Sequence, residues 1–64
     1  MTYQEFLEKL SKPARRALLH KKIDSFPKLA ALTKKELLSF HGIGPASLPI
    51  VNQALHSVNM SLKQ

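Results

Sequence analysis

The residues of this 64-residue chain best suited to chemistry lie in FHGIGPAS, residues 40–47. Gly42 and Gly44 flank Ile43, and Pro45 follows. Glycines at this spacing allow positive φ or a close main-chain approach, both of which a side chain resists. Ile43 is then expected to point inward and pin the turn. Beyond it, the amides around Pro45 to Leu48 are expected to lack helical acceptors and to sit at the positive end of a helix dipole, where a phosphate oxygen is well received. Ser47 would add a hydroxyl, and His41 would donate to phosphate when protonated. The same features also suit a plain reversal between two helices, with Ser47 at a helix start and His41 capping or on the surface. The turn by itself leaves both readings open.

Cations that could join the hairpin sit in the helix-like stretch PARRALLHKK, residues 13–22. At about 100° per residue, Ala14, Ala17 and Leu18 share one side. Lys12, Arg15, Arg16 and Lys22 gather on the other, with Leu19 among them. Arginine offers a planar fork of donors that matches phosphate and guanine edges. An ordinary amphipathic helix with a wet basic face has the same pattern. Charge across the chain leans the same way: the net charge is +6, and nine of the ten Lys and Arg fall within residues 9–35, the tenth being Lys63. Such a balance favours polyanionic partners.

Catalysis is not expected. Of the four acids, Glu5 and Glu36 have helix-cap roles, and Glu8 is four residues before Lys12, a surface-pair spacing. Asp24 is the fourth, an alternative cap to Ser25. His20, His41 and His56 are scattered with no metal-ligand spacing. Ser47 has no neighbouring base to activate it. No cofactor, metal or small-molecule substrate is expected, and cysteine is absent, which excludes disulfides and thiolate zinc sites. Residues 37–62 carry no Lys, Arg, Asp or Glu, yet Gly42, Gly44, Pro45 and Pro49 with several polar side chains break them up too much for a membrane span. No cationic start with an apolar run suggests a secretion signal. A soluble, cytoplasmic protein is the expectation.

The elements that must hold these residues can be read from their caps. Thr2 and Glu5 have capping-box spacing, and Tyr3, Phe6, Leu7 and Leu10 follow at helical intervals. Ser11 precedes Pro13, which is tolerated in a first turn. IDSFPKLAAL starts a short helix capped by Ser25 or Asp24. Thr33 and Glu36 form a second capping box and launch KKELLSF. ASLPIVNQALHSV is the last and longest helix, beginning near Ser47 so that Pro49 falls in its first turn, with a core stripe of Leu48, Val51, Leu55 and Val58 and with Ile50 off to one side. No stretch alternates with period two. The fold class is therefore all-α, a compact bundle of about five short helices in a single domain, residues 1–64, near the lower size limit for a core without staples.

LLSFHGIGPASLPIV resembles a helix-hairpin-helix motif. More widely, residues 10–62 resemble the C-terminal domain of the bacterial RNA polymerase α subunit through PARRALLHKKI, LAALTKKELLSFHGIGPASL and ALHSVNMSL. The resemblance implies a SAM-like fold in which residues 1–10 form a first helix and 11–62 the α-subunit-like core. It implies DNA contact by the start of the helix at KPARRA and by the hairpin–helix junction at GPAS. Gly44 and Ser47 match the family's phosphate-contacting glycine and serine, whereas the family's minor-groove arginine falls at Pro13 and its lysine at Ala46. Arg16 holds a neighbouring position that is polar in the family, and Arg15 adjoins it. Docking of activator proteins is also a property of the family.

The leading expectation is a bacterial, transcription-linked DNA-binding module using Lys12, Arg15, Arg16, His41, Gly42, Ile43, Gly44 and Ser47. A few neutralised phosphates give weak, non-specific, salt-sensitive binding, with dissociation constants of about 10⁻⁴–10⁻⁶ M. The alternative is a protein–protein interaction domain on the same scaffold, presenting Ile50 and Leu19.

Overall fold

Four hydroxyls start four helices. Thr2, Ser11, Ser25 and Thr33 each accept a hydrogen bond from the backbone amide three residues on, at 3.1, 3.4, 3.4 and 3.0 Å. Each takes up one of the amides that a helix start leaves without a partner. The computed structural model describes residues 1–63. Its elements are α1 (Tyr3–Glu8), α2 (Lys12–His20), α3 (Phe26–Ala30), α4 (Lys34–Leu38), a single 3₁₀ turn (Pro45–Ser47) and α5 (Leu48–Ser57). The protein is all-α: among the described residues there is no strand, only a bridge in which the Lys63 amide donates to the Leu32 carbonyl at 2.9 Å.

Both capping boxes form. Glu5 and Glu36 reach back to the amides of Thr2 and Thr33, each at 2.9 Å. These bonds, first the backbone amide and then the threonine side chain, hold both carboxyls below their usual range. A carboxylate with a lower pKa folded than unfolded contributes stability that is complete above the unfolded value and lost as pH falls through the folded one. The thermal midpoint, followed by helix ellipticity, is expected to drop below about pH 4.3, and less steeply in Glu5→Gln/Glu36→Gln.

Some helix ends differ from the sequence expectation. α2 stops at His20 rather than continuing to Lys22. Lys21 caps it, Lys22 takes a left-handed φ of 60°, and the Ile23 amide donates to the Leu18 carbonyl at 2.9 Å. That bond closes the helix end, normally with glycine at the left-handed position, so lysine there gives no stop signal. Pro49 does lie in the first turn of α5, preceded by the separate 3₁₀ turn. The expected Glu8–Lys12 pair does not form. The break between α1 and α2 falls between the two residues, and the ion pair seen among the described residues is Lys28–Asp24 at 2.9 Å.

All five helices feed one buried cluster, which runs from Phe6, Leu7 and Leu10 through Ala14, Leu18, Phe26, Leu29 and Leu37 to Val51, Ala54 and Leu55. Ile43 joins it from the α4–α5 connection. Ile50, expected to stand off to one side as an exposed patch, is half-buried and packs against this core, so it is not part of an open apolar surface. Leu19 is 54% exposed, as its place among the cations of α2 predicts.

Candidate nucleic-acid interface

Gly42 takes a φ of +97°, a region L-residues rarely adopt, and this turns the chain back after α4. It also brings the turn against the start of α2. A Cβ on Gly42 would lie 2.7 Å from the Pro13 carbonyl oxygen. The hairpin and the basic helix therefore meet at Gly42 and Pro13, with Lys12 next in the chain. Ile43 is buried, its amide donating to the Phe40 carbonyl at 3.1 Å; it anchors the turn and offers no side chain to a ligand.

Gly44 behaves differently. Its backbone is extended (φ −115°, ψ 179°), and nothing lies within 4 Å of where a Cβ would be. Neither conformation nor packing requires glycine at this position, contrary to the expectation that both glycines serve the turn. The amide expectation also needs correction. The Ser47 amide donates to the Gly44 carbonyl at 3.0 Å and the Leu48 amide to the Pro45 carbonyl, because the chain tightens into a 3₁₀ turn before α5. Among the described residues, the amides of His41, Gly42, Gly44 and Ala46 are the ones near the hairpin with no backbone acceptor. Ser47 is only 9% exposed, and its hydroxyl caps no helix.

The cations of α2 divide. Lys12 and Arg16 are exposed. Arg15 is half-buried, and its Nε donates to the Leu7 carbonyl at 3.1 Å, fastening α2 to the end of α1. Arg16 lines a depression of about 430 Å³ together with Pro13, Ala17, His20, His41 and Gly42. Beside it, a depression of about 380 Å³ is lined by Ala17, His20, Lys21, Ser39, Phe40 and His41. The Lys21 ammonium sits 5.6 Å from the centre of the Phe40 ring, within cation–π range. Thus Arg16, His41 and Gly42 come together; Arg15 and Ile43 serve the scaffold; Ser47 lies in the 3₁₀ turn.

His20 and Lys21 were not singled out as site residues by the sequence. His20 is four residues from Arg16 and so shares its face of α2, which is the one signal that was available. None of the four acids lines either depression. Glu5 and Glu36 are held in capping boxes, and hydrogen bonding and charge from Lys28 lower the Asp24 pKa. A third depression, of about 570 Å³, lies at the start of α5 between Lys34 and Lys63. Among the described residues, no helix is long and apolar enough to cross a membrane.

No protein-family model matches this chain, and no curated protein or solved structure is detectably similar to it.

Proposed function

We propose that this chain is a non-catalytic, helix-hairpin-helix DNA-binding module of the bacterial cytoplasm, linked to transcription and akin to the α-subunit domain it resembles. The observation that carries this reading is the seating of Gly42 on Pro13, which puts the bare hairpin backbone beside the exposed cations of α2. Lys12 and Arg16 supply charge, the amides of Gly42, Gly44 and Ala46 supply donors, and His41 borders the same depression. The absence of a carboxylate from that lining leaves the field positive. With so few phosphates neutralised, binding is weak and largely independent of base sequence, at about 10⁻⁴–10⁻⁶ M.

Titration of labelled duplex DNA at two salt concentrations tests the proposal. Saturable binding should weaken with salt, and Arg16→Ala should lower the log–log salt slope by about 1 while weakening all sequences alike. Arg16 is the clean probe because Arg15 also fastens α2 to α1. Failure to bind even at low ionic strength would overturn the proposal. One observation favours the second reading, a protein-interaction domain: Leu19 stands 54% exposed among the cations. Under that reading Leu19→Ala would abolish capture of a protein partner, and DNA affinity would be absent from the start.

A further inference from the structure

We infer that His20 and His41, flanked by Arg16 and Lys21, form a second phosphate subsite that acid strengthens, an inference that rests on the DNA-binding reading. Both histidines line both depressions beside α2; Arg16 lines the first and Lys21 the second. The two hollows therefore form one track, with an imidazole on each wall and a permanent cation toward each end. α2 is nine residues long, about 13 Å, which spans close to four base-pair steps when laid along the duplex axis. Lys12 and the amides of Gly44 and Ala46 can thus hold one part of a strand while His20, His41 and Lys21 address a neighbouring phosphate.

Imidazole is the side chain whose charge ordinarily changes between about pH 5 and pH 8. The groups facing the two rings can be named element by element. From α2 and its cap come Arg16 and Lys21; from the α4–α5 connection come Ser39, Phe40 and Gly42, which carry no charge; no carboxylate lines the track among the described residues. No carboxylate in the lining competes with a phosphodiester for these side chains. A phosphodiester seated between the rings favours their charged form, and by linkage protonation favours the phosphodiester. Ala17 and Phe40 supply an apolar floor, and Lys21 already lies over the Phe40 ring.

The test is fluorescence-anisotropy titration of duplex DNA with the full chain at about pH 5.5 and about pH 8, at matched ionic strength, for the wild type, His20→Gln/His41→Gln and His56→Gln. His56 is exposed near the end of α5 and lines neither depression, so it controls for histidine titration elsewhere. Wild type and His56→Gln are expected to bind about tenfold more tightly at the lower pH, with a salt slope steeper by roughly 0.9 for each added charge. The double variant is expected to lose both differences. All three substituted histidines are exposed, and circular dichroism at both pH values would verify the folds. Saturable binding that ignores pH, or a pH effect that survives in the double variant, overturns this inference and leaves the DNA-binding reading intact. Absence of wild-type binding at both pH values overturns both.

Discussion

Phe6→Ala is expected to cost the fold about a third or more of its stability. Phe6 is fully buried, and it packs in a three-ring cluster with Tyr3 and Phe26, at ring-centre distances of 5.4 and 5.9 Å. Tyr3 and Phe26 meet edge to face at 5.1 Å, so removing Phe6 opens a hole between two elements rather than trimming one surface. Truncating a buried phenylalanine costs about 3–5 kcal/mol. At typical stability per residue, 64 residues hold only about 3–10 kcal/mol in total. The Tyr3 hydroxyl is coupled to the same loss. It donates to the Ile23 carbonyl, and burial, with the nearby Asp24 charge adding to it, pushes its pKa up to about 12. Urea denaturation followed by circular dichroism would measure the change, with Leu19→Ala as the exposed control expected within about 0.5 kcal/mol of wild type. A loss under about 1 kcal/mol for Phe6→Ala would mean that α1 is an appendage. α1 also bears on the proposed interface, because Arg15 anchors the basic helix to the Leu7 carbonyl at its end.

What could be read from the sequence is what depends on neighbours in the chain. Thr2 with Glu5 and Thr33 with Glu36 signal their helix starts within four residues, and both boxes form. Pro49 is compatible with helix only in a first turn, and that is where α5 begins. Leu19 lies among cations on the wheel of α2 and is exposed. The features that could not be read are tertiary. That Arg15 turns towards Leu7 while Arg16 faces the hairpin depends on where α1 ends relative to α2, which no local spacing records. The pairing of His20 with His41, twenty-one residues apart in the chain, arises because Gly42 rests on Pro13. Ala54, missing from the expected stripe of α5, is buried because its small side chain allows close packing at the core. The two glycines were indistinguishable as letters, yet only Gly42 has a left-handed backbone and a tight neighbour.

That difference separates stability from recognition. Gly42→Ala is expected to destabilise the fold by about 2 kcal/mol or more, because a left-handed backbone costs an L-residue about 1 kcal/mol or more and the new Cβ also meets a carbonyl oxygen. The contact, 2.7 Å, involves the Pro13 backbone, which cannot swing aside as a flexible side chain would. Relief requires the hairpin and the start of α2 to separate, so DNA affinity should fall together with the denaturation midpoint. Gly44→Ala is expected to keep stability or raise it by up to about 1 kcal/mol, since its extended backbone suits alanine and the unfolded chain loses freedom. If the bare main chain at Gly44 is where a phosphate approaches, the added methyl should weaken duplex binding severalfold in a protein that is no less stable. Denaturation and anisotropy on the two variants give four numbers from two single-atom changes. Equal loss of stability in both would contradict the backbone geometry, and unaltered DNA affinity in Gly44→Ala would remove the hairpin from the interface and leave the cations of α2 to act alone.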